Sequence, residues 1–239
     1  MSARRRILLF DIDGTLIRCG GAGGEALKQA FCEEFELREF QSVQLQGRTD
    51  LGILNELLEL HGIAATEDNR RRICNRYFSL LPQHLNHLQR QALAHTLPGV
   101  DLLLEQLTEQ MQSDAHVHWV VGILTGNMPT SAQIKLQHFQ LWDYFQLGIY
   151  GDLTDHRPHL AEPALEIVSR FCGQPVQGES VVVIGDTPLD IRLARAMRAR
   201  SLAVCTGGFS SEELLGEGAD HVVPDLSDSR QLIEWFSHQ

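Results

Sequence analysis

The chain of 239 residues carries 20 Lys and Arg against 31 Asp and Glu, a net charge of −11 with histidine neutral. That deficit argues against nucleic-acid binding and against docking on anionic membranes, both of which need a basic face. With 43% hydrophobic and 21% charged residues the composition is that of a globular protein, and at about 150 residues per domain the length allows one large domain or two small ones.

Ile7 to Phe10 is a short apolar run bounded by charge and predicts a buried strand. Gly20-Gly21-Ala22-Gly23-Gly24 is too glycine-rich for a regular element and reads as a hinge. From Glu25 to about Leu93 the periodicity is helical. Leu27, Ala30, Phe31 and Phe35 share one face of a first helix. Thr49 can cap a second, with Ile53, Leu54, Leu57, Leu58 and Leu60 inward and Gly62 as its stop. A third is expected from about Asp68 to Leu81, interrupted at Pro82. Leu97-Pro98-Gly99-Val100 marks a return to a different pattern. A helix from about Val100 to Met111 is followed by a strand, Val117 to Leu124, then a helix from about Thr130 to Phe139 and a short strand near Gln146 to Tyr150. A helix from about Glu162 to Phe171 precedes the fully apolar strand Val181 to Ile184. Helix Leu189 to Arg198, strand Leu202 to Cys205, helix Ser211 to Leu215, strand His221 to Val223 and helix Ser227 to Phe236 complete the chain. Strands alternating with helices predict an α/β fold, a parallel sheet covered on both faces. Residues 20–95 form a helical insert in a core made of 1–19 and 96–239.

In such a sheet the carboxyl ends of the strands face one crevice. Three expected strands end in Asp11-Ile12-Asp13-Gly14-Thr15, in Thr125-Gly126-Asn127 and in Gly185-Asp186-Thr187-Pro188-Leu189-Asp190. Four carboxylates, a hydroxyl and an amide would meet at one edge. Oxygen-only ligands favour a hard divalent cation, Mg²⁺ rather than zinc. Asp11 and Asp13 point the same way along an extended strand, and neighbouring carboxylates push their pKa values apart, so one can be a nucleophile and the other a proton carrier. A calcium loop starting at Asp11 fails, because its sixth and twelfth positions hold Leu16 and Ala22 where Gly and Glu are needed.

These three motifs, in this order, resemble the haloacid dehalogenase superfamily, and the helical insert after the first resembles its C1-capped, phosphoglycolate phosphatase-like branch. Gly47-Arg48-Thr49-Asp50 is similar to a recurring motif of that cap. The resemblance implies a Rossmann-like core with a mobile cap, and a Mg²⁺-dependent phosphatase of small phosphorylated metabolites acting through an aspartyl-phosphate. It implies Asp11 as nucleophile and Asp13 as general acid and base. Thr125, Gly126 and Asn127 would hold phosphoryl oxygens. Mg²⁺ would sit on Asp11, the Asp13 backbone carbonyl and Asp186, with Asp190 in support directly or through water. Two cations compete to neutralise the phosphate: Arg157, placed before a helix where the family's third motif belongs, and Lys135, which otherwise reads as a solvated helix position. Arg48 could reach substrate across the cleft. A sugar-phosphate mutase on the same scaffold and an idle binding protein remain as alternatives. Arg198 stands where relatives usually have glycine.

The remaining features predict no further site. The five cysteines are scattered, with no Cys-x-x-Cys, as suits a reducing cytoplasm. Arg4-Arg5-Arg6 before Ile7 to Phe10 imitates the start of an export signal, but the apolar run stops well short of the ~7–15 residues required. No run approaches the ~20 apolar residues of a membrane span. The close pairs His84 and His87, His116 and His118, and His156 and His159 read as surface or structural residues. Arg70-Arg71-Arg72 reads as a solvated face, Trp119, Trp142 and Trp235 as packing, and Thr206-Gly207-Gly208 as a strand-to-helix turn.

Overall fold

The computed structural model describes residues 4–113 and 117–237. In chain order the elements are β1 (Arg4–Phe10), β2 (Ile17–Arg18), α1 (Ala22–Phe35), α2 (Asp50–Leu60), α3 (Glu67–Arg90), β3 (His95–Thr96), α4 (Val100–Ser113), β4 (Val117–Leu124), α5 (Pro129–His138), β5 (Leu147–Ile149), α6 (Ala161–Cys172), β6 (Val181–Gly185), α7 (Pro188–Met197), β7 (Arg200–Val204), α8 (Ser211–Glu217), β8 (His221–Val223) and α9 (Ser229–Ser237). Six of these strands form one parallel sheet in the order β5-β4-β1-β6-β7-β8. β1 lies between β4 and β6, with Phe10 level with Ile123 on one side and Ile184 on the other. The carboxyl ends of the three motif strands therefore finish side by side.

Period-two alternation divides the core. Leu8 and Phe10 face one cluster with Val121, Ile123, Leu103, Leu107 and Phe236. Ile7 and Leu9 face the other with Val183, Leu160, Val168, Leu193 and Met197. Burial on both faces is why these strands read as continuous apolar runs.

Helices α1 to α3 follow β2 and precede β3, and those two short strands pair antiparallel, Ile17 with Thr96 and Arg18 with His95. This ribbon ties the two connections of the insert together. Two residues per strand are too few for any periodicity to announce them. α1 packs on α3, and α3 packs on α5 of the core.

Several local expectations are corrected. The glycine cluster is not a hinge throughout. Gly20 and Gly21 turn the chain with positive φ of 60° and 92°, but α1 already begins at Ala22 and contains Gly23 and Gly24. Ala22, Ala26 and Ala30 bury one face of it, and that packing overrides two poor helix formers. α3 does not stop at Pro82 but runs on to Arg90. Ile73, Tyr77, Leu80, Leu81 and Leu85 are buried at helical spacing on both sides of the proline, and their burial outweighs one lost hydrogen bond. Leu60 is 41% exposed rather than inward. Arg198 ends α7 in the left-handed region, φ 55°, the conformation glycine adopts without strain.

Candidate active site

Asp11 follows the last residue of β1, and its N–H donates to Ile184 O at 2.8 Å, extending the sheet ladder into the motif. The chain then turns at Gly14 (φ +87°), where a Cβ would lie 2.4 Å from Asp186 Oδ2; only glycine fits against that carboxylate. Thr15 Oγ1 donates to Asp186 Oδ1 at 3.2 Å, so the first motif holds the last one directly.

Asp11, Asp186 and Asp190 are all buried and present carboxylate oxygens within 4.8 Å of one another. Burial, then the neighbouring Asp190 and Asp13 charges, push Asp11 up to about 6 although Arg157 opposes them. Burial, followed by the charges of Asp190 and Asp11, raises Asp186 well above the carboxylate range. Asp186 Oδ2 is buried without a hydrogen-bond donor. An oxygen-only donor set with an orphaned buried oxygen and mutual repulsion fits a hard divalent cation. Asp190 differs: its Oδ2 accepts from Thr187 N at 3.0 Å and Thr187 Oγ1 at 2.8 Å, and its Oδ1 accepts from Arg157 Nη2 at 2.5 Å. Its oxygens are already engaged by protein, which fits the supporting role better than direct ligation.

The two rival cations are both in the site, each on a different carboxylate. Arg157, in a short 3₁₀ turn before α6, places Nη2 2.9 Å from Asp11 Oδ1 and also bonds Asp190. Lys135 is not a solvated helix position; it is 5% exposed, with Nζ 2.6 Å from both Asp13 Oδ2 and Asn127 Oδ1. α5 turns it inward because α3 of the insert covers that face. Burial works against the Asp13 carboxylate, but the Lys135 ammonium, with hydrogen bonds from Asn127 and Cys19, more than compensates and leaves it below the usual carboxylate value. Burial likewise works against the Lys135 ammonium, and the Asp13 charge outweighs it.

Thr125 and Asn127 occupy the end of β4. Thr125 Oγ1 accepts from Asn127 Nδ2 at 2.9 Å, and Asn127 Nδ2 also donates to Asp13 Oδ2 at 2.8 Å. Gly126 lies against the insert: a Cβ there would meet Arg48 O at 1.9 Å. Arg48 reaches the cavity wall, but its guanidinium is ion-paired with Glu56 and donates to Gln44 O.

The fold brings in several residues to which the sequence gives no role in the site, among them Asp50 of the cap-like motif. Asp50 N donates to Gly126 O at 2.7 Å, and its Oδ2 accepts from Met128 N and Ser131 Oγ at 2.8 and 2.9 Å, latching α2 onto the start of α5. Thr206-Gly207-Gly208 is more than a turn. Thr206 Oγ1 donates to Gly14 O at 2.5 Å, Gln46 Nε2 donates to Gly207 O at 2.8 Å, and a Cβ on Gly207 would fall 1.5 Å from Asp186 Oδ2. The strand-end rule that found the other loops also applies to this one, which follows β7. Tyr77 and Cys19 line the same cavity, and nothing in their local sequence marks them.

Elsewhere no second centre forms among the described residues. His84 bonds Gln29, His87 bonds Gln91, and His156 stacks edge-on against His159. His118 is exposed, while His116 lies outside the described residues. Arg70, Arg71 and Arg72 pair with Asn55, Asp68 and Glu34. The cysteines are all free. No helix is long and apolar enough to cross a membrane.

Residues 8–195 match the family described as haloacid dehalogenase-like hydrolase. The chain belongs to that family. It is 28% identical over 141 residues to a phosphoglycolate phosphatase from Nitrosococcus oceani, a match spanning 59% of this chain and 58% of that protein. Among solved structures it is similar to a hydrolase from Pseudomonas syringae (TM-score 0.64, 23% identity, covering 96% of this chain and 98% of that one). It is also similar to CbbY from Rhodobacter sphaeroides in complex with phosphate (TM-score 0.61, 16% identity, 93% and 95% covered). At these identities the structural likeness establishes the shared α/β, Rossmann-like fold.

Proposed function

We propose that this member of the haloacid dehalogenase-like hydrolases is a Mg²⁺-dependent phosphatase of small phosphorylated metabolites. The observation that carries the reading is the pairing at the strand ends: a buried carboxylate, Asp11, held by Arg157, beside a cavity-facing carboxylate, Asp13, held by Lys135. Asp11 attacks phosphorus and the ester P–O bond breaks. Asp13, a carboxylate at rest beside Lys135, first takes up a proton from solvent as the dianionic ester binds next to it; it then gives that proton to the leaving oxygen and returns to the carboxylate that Lys135 favours. The same carboxylate then takes a proton from water as it attacks the aspartyl-phosphate, releasing inorganic phosphate and restoring Asp11. Arg157, the Thr125 hydroxyl and the Asn127 amide hold phosphoryl oxygens. The Asp11 and Asp186 carboxylates and the Asp13 carbonyl would hold Mg²⁺, which when bound supplies charge neutralisation for nucleophile and phosphate.

Residues 20–95 act in this reading as a cap domain on a core of 1–19 and 96–239. The bonds from Asp50 to Gly126 and from Gln46 to Gly207 support a closed cap that screens the first half-reaction from water. The scattered free cysteines support a cytoplasmic setting. The test is release of inorganic phosphate from a panel of phosphomonoesters with Mg²⁺. Activity should vanish with EDTA and in Asp11→Asn, with the fold retained. An Asp11→Asn protein that still turns over refutes the mechanism, and an isomerised sugar phosphate in place of free phosphate would make the enzyme a mutase.

A further inference from the structure

Between the acidic crevice and the insert lies a cavity of about 490 Å³. Its crevice side is charged. Its insert side is lined by Leu27, Ile53, Leu54, Ile73, Cys74 and Tyr77. Most of the charged groups around that side are already committed. Arg48 is neutralised by Glu56, while Arg18 keeps its charge but is held at the crevice rim, donating to Thr206 O at 2.8 Å. Asp50 is spent on Met128 N and Ser131 Oγ, and Lys135 on Asp13 and Asn127. A carboxylate or a polyol placed there would lose water and find little beyond the Tyr77 hydroxyl to replace it, whereas an apolar body would lose little.

Gly23 makes the room. A Cβ there would sit 3.5 Å from Tyr77 Oη and 3.8 Å from Lys135 Nζ, in ordinary contact and pointing into the cavity. The absence of a side chain leaves open a space bounded by the general acid's lysine on one side and the apolar wall on the other.

The geometry points to a leaving group with a compact apolar body, aromatic or branched alkyl, so that the substrate is the phosphate monoester of a hydrophobic alcohol, seated against Leu27, Ile53, Leu54 and Ile73 with Gly23 setting its width. This rests on the phosphatase reading above and narrows it.

The test compares kcat/KM with Mg²⁺ for benzyl phosphate, 2-naphthylmethyl phosphate, 2-phosphoglycolate and glucose 6-phosphate. Benzyl phosphate should exceed the two polar esters by at least about tenfold, since a single methylene in an apolar pocket is worth roughly that. Gly23→Ala should lower the naphthylmethyl-to-benzyl ratio, and Leu27→Ala should raise it. Both shifts are read against inhibition by inorganic phosphate, which engages the crevice alone and should move less than the ester ratio. Gly23→Ala replaces glycine with the best helix former inside α1, so loss of fold is not a confounding outcome. Preference for 2-phosphoglycolate or glucose 6-phosphate, or a ratio that neither variant moves, overturns the inference and leaves the phosphatase standing. Failure to hydrolyse every ester overturns both.

Discussion

Replacing Lys135 by Met tests the arrangement where it departs most from a sequence reading. The side chain keeps its length and loses its charge, so the buried stem stays packed on α5 while Asp13 and Asn127 lose their shared donor. Two charges 2.6 Å apart attract by about 6 kcal/mol at an effective dielectric of 20, before the cost of desolvation is subtracted. Breaking a fully buried pair costs roughly 3–5 kcal/mol, but the Asp13 side chain is 40% exposed to the cavity, and water there can take over part of the lysine's work. A loss of about 2 kcal/mol is therefore expected, which lowers Tm by roughly 4–8 °C in a chain of this size. The sign with pH follows from the two shifts. Asp13 is held below its unfolded value, so its share of stability is present above that value and is lost as pH falls through the folded one. Lys135 is held above its unfolded value, so its share is present below that value and is lost only as pH rises through the folded one. The Tm gap between wild type and Lys135→Met should therefore be flat from about pH 5 to 9 and close in stronger acid. kcat/KM should fall by at least ~10², because Asp13 loses the group that fixes its position and its charge state. Differential scanning calorimetry across pH with steady-state kinetics reads both effects. Equal Tm at neutral pH together with unchanged kcat/KM would refute the pairing and the role built on it.

Gly207→Ala should abolish turnover and destabilise the fold by about 1–3 kcal/mol, since the new methyl must displace the Asp186 carboxylate; Gly216→Ala, which meets nothing within 4 Å, is the control, and equal behaviour of the two by thermal melt and activity would contradict the close packing of that loop. Arg198→Gly should raise stability by about 1 kcal/mol, or roughly 2–4 °C in Tm, by relieving the left-handed backbone at the end of α7, with activity unchanged. Mg²⁺ should raise Tm progressively with concentration, because it binds the folded carboxylate cluster and not the unfolded chain, and Asp186→Asn should remove most of that rise; a melt indifferent to Mg²⁺ in the wild type would show that the cluster is not a metal site.

The loops that build the candidate site are legible because each obeys a local rule. Asp11, Thr125 and Asp186 each follow an apolar strand, and strand ends in a parallel sheet converge whatever the rest of the chain does. What failed locally failed for lack of tertiary context. Pro82 and the pair Gly23 and Gly24 carry poor helix propensity, and propensity is a weak prior against the burial of a whole helical face. Lys135 looked solvated because its neighbours on α5 give no hint that α3 will cover that face. Asp50 and Gly207 belong to segments far apart in sequence, and their close approaches to Ser131 and Asp186 exist only after folding.

Alternation of strand and helix, together with the acidic motifs, thus determined by sequence alone the α/β class and which loops meet at the crevice, while the candidate nucleophile follows from the family resemblance those motifs carry. Tertiary structure alone decided how the charges are distributed. Arg157 and Lys135 are not alternatives but partners of different carboxylates, and Asp190 is tied up by Thr187 and Arg157 while Asp186 Oδ2 is buried with no hydrogen-bond donor. The reason is physical: secondary structure follows from periodicity along the chain, whereas the environment of a buried charge depends on which distant groups share its low-dielectric surroundings, and no local pattern records that.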